Sequence, residues 1–506
     1  MKLFKYYPIK RDISIDMRKL FYTIRNLAVL ITLCVALPLS GCKKYVLVSP
    51  STTTVLGTAV YASDATAIAV LNGLYSQMIR LGPSNEGSIC SLSFFTELSG
   101  DEFTLLNTVT NSTQLAYYQN NLGVNGTGAF WANFYNYIYT CNAAIEGLNA
   151  ATGLTPAVQQ QLLGEAKFLR AFYYFYLVNL YGDVPLALTS DYTKNVVLAR
   201  TPKDQVYQQI VSDLTDAEGL LYDGYLQANL ILPYTATTAE RVRPNKYAAA
   251  ALLARVYLYT NKYAEAITQA SIVINNSTYY ALTPLNNVYL KNSKEAIWQL
   301  QPINAGVNTP DAQFFIYPTT AGPTTSNPVF LSNALLGAFE PGDQRKINGN
   351  WVNSVTIGTT TYTYPFKYKI YLNNTSVTTA SALTEYEMVL RLGEQYLIRS
   401  EAETQQNQLT QAIADLNAIR SRAGLIGTTA TTQQQLLAAI LHERQVELFS
   451  ESGHRWFDLK RTGNVNAVMG SGGATALKGG SWTPTQALYP IQDILRDPQL
   501  TQNPGY

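Results

Sequence analysis

The chain has 506 residues, a formal net charge of +2 and only 14% charged residues. This charge balance argues against nucleic acids and anionic membrane surfaces as partners, because both attract strongly basic proteins. The length allows two or three domains, or a single large solenoid-like domain. The 36 tyrosines, together with many Asn, Gln and Thr residues, suit neutral polar ligands, which aromatic rings and amides can contact.

The N-terminal residues 1–41 predict a signal peptide. Seven basic residues precede the apolar stretch 27–39, which is too short to span a bilayer. Met17 is an alternative start, because the residues after it already supply a basic head. Residues 39–42, Leu-Ser-Gly-Cys, resemble the bacterial lipobox, in which the cysteine thiol is acylated. We therefore predict lipidation at Cys42, with an ordinary signal peptide and an unrelated cysteine as the alternative.

Processing before Cys42 would leave 29 basic and 32 acidic side chains, a net charge of −3. Residues 42–62 are rich in Ser, Thr and Val and predict an extended, lipid-anchored tether. Cys90 and Cys141 also remain, and they could form a disulfide in an oxidising compartment. Since Cys141 falls within a helical pattern, two buried free thiols are an equally good interpretation.

From residue 63 onward, apolar residues recur at helical spacing and predict a helical array over about 63–277. The predicted helices are 64–81, 130–148, a helix within 160–186 that ends at Gly182, 202–221, 245–260 and 263–274. Residues 82–127 are rich in Gly, Asn, Ser and Thr and predict a loop.

The helix pair 245–260 and 263–274 has a two-residue turn and is typical of a tetratricopeptide unit. A second pair is predicted within 390–425, and the irregular period indicates an array with insertions. Residues 278–387 interrupt the helical pattern and predict short strands and long loops. The array resumes over about 388–461, including one amphipathic helix in 442–461, and residues 462–506 form a turn-rich closing segment.

Several segments resemble the SusD/RagB family of outer-membrane lipoproteins. They are GEAKFLRAFYYFYLVNLYGDVPL, RPNKYAAAALLARVYLY, the run ER..EL..E.GHRWFDLKR, and the C-terminal LYPI...I..DPQLTQNPGY. These segments occur in the family's order, and the lipobox agrees with them. The resemblance implies a mostly α, SusD-like fold over 63–506, with tetratricopeptide-like helix pairs as scaffold and a loop-rich, partly β insert that carries the ligand site.

The same resemblance implies a lipoprotein of Bacteroidetes-type bacteria, anchored in the outer membrane and facing the exterior. Such a protein binds a glycan, either an oligosaccharide or a polysaccharide, and delivers it to a partner SusC-like TonB-dependent transporter. A peptide-binding, RagB-like protein is the alternative, and the resemblance implies no enzyme activity, cofactor or metal. Lys43 and Lys44 stand where some family members carry acidic residues that favour the outer face.

Aromatic and acidic residues of the irregular segments are the candidate ligand contacts, because sugar rings expose flat C–H faces that pack on aromatic rings. These candidates are Phe94, Phe95, Asp101, Phe103, Phe314, Tyr317, Trp351, Tyr362, Tyr364 and Phe366. Packing in the core is the alternative for each of them. A lipid-anchored glycosidase and a structural partner of the transporter without a ligand are further hypotheses, but no pair of carboxylates stands out for glycoside cleavage.

His442 and Glu443 lack the second histidine of an H-E-x-x-H zinc motif, so a structural role is predicted for this charged run. An ion-pair lattice that holds the last helix is expected from Glu443, Arg444, Glu447, Glu451, Arg455, Asp458 and Arg461. Glu165, Arg170 and Asp183 belong to the first quoted segment, and structural roles in helix pairing and capping are predicted for them too.

Overall fold

The computed structural model describes residues 60–80, 87–123, 130–303, 307–317, 321–371 and 383–506, together with Arg18, Phe21, Tyr22, Arg25 and Asn26. The chain divides into two units, Met1–Leu56 and Gly57–Tyr506, and all elements named below belong to the second. Cys42 and most of the predicted signal peptide and tether lie outside the described residues. In the part of the chain that is described, no helix combines the length and apolar character that crossing a bilayer requires.

The second unit is mostly α-helical, which confirms the predicted fold class. Helices of at least seven residues are α1 Asp64–Met78, α2 Ile89–Ser99, α3 Ser112–Tyr118, α4 Phe130–Ala150, α5 Pro156–Tyr181, α6 Lys203–Leu220, α7 Lys246–Tyr259, α8 Tyr263–Ile274, α9 Leu392–Gln405, α10 Leu409–Arg422, α11 Gln433–Leu448 and α12 His454–Arg461. The strands are β1 Phe103–Leu105, β2 Ala296–Leu300, β3 Val329–Leu331, β4 Val352–Ile357, β5 Thr360–Pro365 and β6 Glu387–Arg391. They form two-stranded antiparallel sheets, in which β1 pairs with β3, β2 with β6 and β4 with β5.

Local sequence signals account for the ends of several helices. The Ser63 side chain caps α1 by accepting a hydrogen bond from the Thr66 amide, and the Asn245 side chain caps α7 through the Ala248 amide at 3.0 Å. Gly182, at a φ of +75°, ends α5 as predicted, because a left-handed residue at this position favours glycine. The predicted helices therefore agree with the observed ones to within a few residues at these ends.

Helices α7 to α10 pack in sequence, α7 on α8, α8 on α9 and α9 on α10. Four small buried side chains, Ala254, Ala266, Ala270 and Ala402, lie in one cluster between α7, α8 and α9, where they let the helices approach closely. A buried ion pair of 2.6 Å joins Arg255 of α7 to Glu394 of α9. The array is thus continuous in space, although the loop-rich insert separates α8 from α9 in the sequence.

The prediction of a loop over 82–127 is wrong for much of the segment, which contains α2, β1 and α3. All eleven residues of α2 are buried. A helix buried on every side needs no polar face, so the apolar periodicity that reveals an amphipathic helix is missing from its sequence. The Ser and Thr residues that suggested a loop instead hydrogen-bond within the helix, as Thr96 does to the Leu92 carbonyl at 2.5 Å.

The two remaining cysteines are buried free thiols, Cys90 in α2 and Cys141 in α4. This observation decides between the two interpretations of the sequence in favour of unpaired cysteines. Burial raises the pKa of both thiols, so they remain protonated and unreactive at neutral pH.

The single helix predicted in 442–461 is two helices, α11 and α12, separated by a tight turn. Ser450, Ser452 and Gly453 have positive φ values of 56°, 45° and 79°. Left-handed backbone cannot continue an α-helix, and the chain therefore changes direction before His454. The turn also brings Gly453 against Thr96 of α2, where a Cβ atom would lie 2.6 Å from the Thr96 hydroxyl.

The predicted ion-pair lattice is confirmed, and it extends further than the sequence suggested. Its pairs include Glu443–Arg345 (2.6 Å), Glu447–Arg345 (2.9 Å), Glu447–Arg391 (2.6 Å), Glu451–Arg391 (2.7 Å), Arg444–Asp458 (2.7 Å), Arg461–Asp458 (2.7 Å) and Arg455–Asp101 (2.7 Å). Arg345 lies in the insert and Arg391 ends β6. The lattice therefore joins the insert to the array in addition to holding α12.

The charged residues of the first family-like segment have the structural roles predicted for them. Arg170 donates to both carboxylate oxygens of Asp213, at 2.8 and 2.6 Å, and so joins α5 to α6. Asp183 accepts a hydrogen bond of 2.8 Å from the amide of Lys203, the first residue of α6. Glu165 is fully buried and accepts 2.6 Å hydrogen bonds from Tyr75 and Arg243.

Candidate functional site

The structure buries most of the side chains that the sequence nominated as ligand contacts. Eight are at most 8% exposed, namely Phe94, Phe95, Asp101, Phe103, Phe314, Tyr317, Trp351 and Tyr364. Tyr362 and Phe366 are partly exposed. In this structure the eight buried side chains belong to the core, which was the stated alternative, and a ligand-binding role for each of the ten stays a prediction.

The nominated aromatic residues do lie together, but mainly against one another. The rings of Phe94 and Phe314 are 4.7 Å apart, and those of Tyr317 and Tyr364 are 4.4 Å apart. The Trp351 indole is fully buried and donates a 2.9 Å hydrogen bond to the Leu285 carbonyl. These contacts pack the insert on itself and fix it onto α2, and they leave few of the nominated rings at the surface.

A cleft of about 410 Å³ opens beside β1 and contains two of the nominated residues. We call it the β1 cleft, and its lining comprises Asp101, Phe103, Thr104, Tyr118, Ser332, Asn333, Ala334, Val468, Gly473, Ala474, Leu477 and Lys478. The volume is within the range of about 300–1,000 Å³ that is usual for small-ligand sites. Four parts of the chain form it: the residues after α2 with β1, Tyr118 at the end of α3, the residues after β3, and the closing segment.

The charged side chains of the β1 cleft are already paired with other groups of the same chain. Arg455 donates to both carboxylate oxygens of Asp101, at 2.8 and 2.7 Å. The Lys478 ammonium donates to the carbonyls of Leu98 (2.6 Å) and Gly100, and burial lowers the pKa of Lys478 to about 7. A ligand therefore meets mainly neutral groups.

The neutral groups of the β1 cleft are hydroxyls, an amide and an aromatic ring. Burial raises the pKa of Tyr118, and the nearby Leu105 backbone and Thr104 side chain partly offset this rise. The Tyr118 ring lies 5.2 Å from the Lys478 nitrogen. Tyr118 is partly exposed and Asn333 is exposed. This combination can pack on an apolar ligand face and hydrogen-bond neutral hydroxyl groups around it.

Strand pairing extends this surface beyond the cleft. Phe103 and Leu331 are paired across β1 and β3 and are both buried, so their neighbours Thr104 and Phe330, also paired, point outward. The partly exposed Phe330 ring lies 5.2 Å from the ring of Tyr362 on β5. Tyr362 is thus the nominated residue that the structure places in an aromatic pair next to the β1 cleft.

Sequence reasoning missed Tyr118, Phe330 and Asn333 as candidates. Tyr118 gave no periodic signal, and Asn333 reaches β1 only through the pairing of β3 with β1, across more than 200 residues of chain. Phe330 gave no signal either, since Val-Phe-Leu is apolar throughout and lacks the alternation of apolar and polar residues that is typical of a half-buried strand.

Two buried carboxyl groups lie at the base of this region, Glu97 at the end of α2 and Glu102 just before β1. Both are fully buried, and each lies close enough to affect the pKa of the other. Burial raises the pKa of Glu97 well above its usual range and that of Glu102 to about 7. The negative charge of Asp101 also raises the Glu102 pKa, whereas the positive charge of Arg455 lowers it.

Glu102→Gln is expected to reduce the dependence of stability on pH between about 4.5 and 7. Because the folded-state pKa of Glu102 is raised to about 7, the folded protein holds this proton more tightly than the unfolded chain does. The resulting stabilisation is complete below pH 4.5 and is lost as the pH rises through 7. Urea unfolding at pH 5 and pH 8 measures the effect: the variant should lose less stability than the wild type between these pH values.

Glu97→Gln should also reduce the pH dependence, because the pKa of Glu97 is raised well above its usual range and the folded protein holds this proton too more tightly than the unfolded chain does. An unchanged pH dependence in Glu102→Gln would contradict the assignment of the titrating proton to this pair.

The fold defines a helical-array protein with a loop-rich insert, and the lining of its β1 cleft is mainly neutral. Comparison with known families is consistent with this class. A family model described as "SusD family" matches residues 258–506, and one described as "Starch-binding associating with outer membrane" matches residues 61–258. The chain belongs to the SusD family.

Individual relatives agree with the family assignment. A SusD-like protein from Formosa agariphila is 26% identical, over 75% of this chain and 80% of the relative. A SusD superfamily protein from Parabacteroides distasonis has the same fold, with a TM-score of 0.72 and 23% identity over 87% of this chain and 99% of that chain. Surface glycan-binding protein A from Bacteroides uniformis superposes with a TM-score of 0.70 and is 22% identical, over 87% of this chain and 99% of that chain.

The SusD family consists of carbohydrate-binding, non-catalytic proteins, and membership confirms the prediction that the chain is not an enzyme. The family model for the N-terminal part also associates these proteins with the outer membrane. The charged residues of the site are consistent with binding rather than catalysis, since Asp101 and Lys478 are engaged by the protein itself.

Proposed function

We propose that this chain is a lipoprotein of the outer membrane, anchored through Cys42 and facing the exterior, that binds glycans in the β1 cleft. It delivers them to a partner SusC-like TonB-dependent transporter. The lipobox at residues 39–42 supports the anchor, and the family description supports the association with the outer membrane. The printed name of the Bacteroides uniformis protein, a surface glycan-binding protein, supports the class of ligand.

The observation that carries the glycan assignment is the pairing of neutral hydrogen-bonding groups with outward aromatic rings at the β1 cleft. Tyr118 and the pair Phe330–Tyr362 offer ring faces to the apolar side of a sugar. Thr104 and Asn333 offer hydroxyl and amide groups to its edges. Each aromatic contact contributes about 0.5–1.5 kcal/mol beyond burial, so the affinity of one short oligosaccharide is modest and its release to a transporter is easy.

Replacement of Tyr118 and Tyr362 together by Ala is expected to weaken glycan binding by about tenfold or more. Loss of two ring contacts corresponds to about 1–3 kcal/mol, and 1.4 kcal/mol is a tenfold change in Kd. Isothermal titration with maltohexaose, laminarihexaose, cellohexaose and xylohexaose measures the change for whichever sugar the wild type binds.

Tyr192→Ala is the matched control, because this tyrosine is 76% exposed and does not line the β1 cleft. Its affinity for the same sugar should equal that of the wild type. If the wild type binds none of these or other neutral sugars but binds short peptides, the glycan proposal fails and the peptide-binding alternative replaces it. Equal sugar affinity in the wild type and the double variant would instead place the glycan elsewhere on the protein.

A further inference from the structure

A second cleft, of about 350 Å³, lies where three distant segments of the chain meet. Asn72, Tyr75 and Ser76 come from α1, residues 226–243 from the segment before α7, and Leu300, Gln301 and Ile303 from the end of β2 and beyond. We call it the polar cleft. None of its residues lines the β1 cleft, so the two clefts are separate surfaces.

The floor of the polar cleft is held in place by a buried carboxylate. Glu165 is fully buried and accepts 2.6 Å hydrogen bonds from the Tyr75 hydroxyl and the Arg243 guanidinium. Arg243 also donates to the Asn72 side-chain oxygen and lies 5.5 Å from the centre of the Tyr75 ring. The arginine thus orients an amide and a ring that both face the cleft, before any ligand arrives.

The charges of the polar cleft cancel in pairs. Arg243 is neutralised by Glu165, and Glu240 at the rim forms a 2.9 Å ion pair with Lys291. Neither an anionic nor a cationic ligand would find an unpaired opposite charge among these groups. The chemistry left for a ligand is neutral: amides of Asn72 and Gln301, and the hydroxyl group of Ser76.

Two tyrosine rings complete the polar cleft. Tyr75 and Tyr234 are both partly exposed, and the Tyr234 backbone is fixed by a 2.8 Å hydrogen bond from its amide to the Tyr225 carbonyl. Aromatic faces beside amides and hydroxyls suit the alternating apolar and polar surfaces of a sugar ring. The volume is at the lower end of the usual range for ligand sites, which suits a short segment of a sugar chain.

We propose that the polar cleft is a second carbohydrate-binding site, which takes a short segment of a neutral oligosaccharide. The proposal rests on the glycan-binding function proposed above and extends it to two sites per chain. Two sites on one protein let a long polysaccharide bind at both, so the second contact is made at high effective concentration. The protein would then retain polymers much more strongly than it retains short oligosaccharides.

The test compares variants of the two clefts with the same sugars. Tyr234→Ala combined with Gln301→Ala removes a ring and an amide from the polar cleft, and the Tyr118 and Tyr362 double variant removes one ring from the β1 cleft and one from the aromatic pair beside it. For the hexasaccharide that the wild type binds, isothermal titration should give two sites in the wild type and one site in each double variant. Affinity electrophoresis in gels containing the parent polysaccharide should show at least tenfold weaker binding for either variant.

Further measurements show whether each variant is folded and which of the two proposals a negative result contradicts. The thermal unfolding midpoint checks that each variant is folded, and Gln301→Ala alone carries the test if the double variant is not. Tyr234→Phe keeps the ring and should keep most of the binding. One site in the wild type, unaffected by changes in the polar cleft, would overturn this inference and leave the proposed function standing, whereas no sugar binding by the wild type would overturn the proposed function itself.

Discussion

Glu447→Ala is expected to lower the free energy of unfolding by about 3–5 kcal/mol, because it removes a buried carboxylate that is shared by three buried guanidinium groups. Glu447 is fully buried and binds Arg345 at 2.9 Å, Arg391 at 2.6 Å, and Arg422. Burial alone would raise the pKa of Glu447, but these three arginines outweigh it and hold the pKa far below its usual range. Urea unfolding followed by circular dichroism at pH 7 measures the loss.

Glu265→Ala is the matched control, since this glutamate lies exposed in the first turn of α8. An exposed charge at a helix start contributes about 0.3–1 kcal/mol, so the control should lose less than 1 kcal/mol. Glu447→Gln keeps the shape of the side chain and removes its charge. Its free energy of unfolding should therefore lie nearer to that of the alanine variant than to that of the wild type. Similar losses in Glu447→Ala and Glu265→Ala would show that the lattice contributes little to stability.

Trp351→Ala is expected to lower the free energy of unfolding by a similar amount, about 3–5 kcal/mol, through loss of a buried indole. Trp351 is fully buried and donates a hydrogen bond to the Leu285 carbonyl. Cationic groups of Lys367, Arg391 and Arg422 lie 4.9–5.7 Å from its ring. Its removal therefore loosens the contact between the insert and the ion-pair lattice, and thermal or urea unfolding detects this directly.

The same variant separates a core role for Trp351 from the ligand-binding role that the sequence suggested. At a temperature where the variant is fully folded, its glycan affinity should lie within about twofold of the wild type. Trp351→Phe should lose less stability than the alanine variant and should bind equally well. Unchanged stability combined with a large loss of binding would show that Trp351 contacts the ligand after all.

The two predictions concern one structural principle, the rigid attachment of the insert to the helical array. Arg345 and Lys367 belong to the insert, yet both bind carboxylates near the end of α11, Glu447 and Glu451 respectively. Loops that carry a binding site gain precision when their supporting residues are held by such contacts. The part of the β1 cleft that the insert forms is accordingly held in place before a ligand binds.

The amino-acid sequence was sufficient to predict the helices whose periodicity, caps and turns depend on neighbouring residues. The helix predicted over 263–274 is α8, with the same ends, because its apolar stripe and the short turn before it are properties of neighbouring residues. The charged run 443–461 likewise predicted an ion-pair lattice. The family resemblance could also be recognised from the sequence, because each of its motifs is a continuous stretch of the chain.

Only the tertiary structure decided which aromatic residues face a ligand. Phe94 and Trp351 are as aromatic as Phe330 and Tyr118, but packing between distant segments buries the first two and leaves the others partly exposed. The polar cleft depends in the same way on Asn72, Tyr234 and Gln301, which no local pattern connects. Burial is set by contacts between residues far apart in the chain, and a short stretch of sequence does not contain that information.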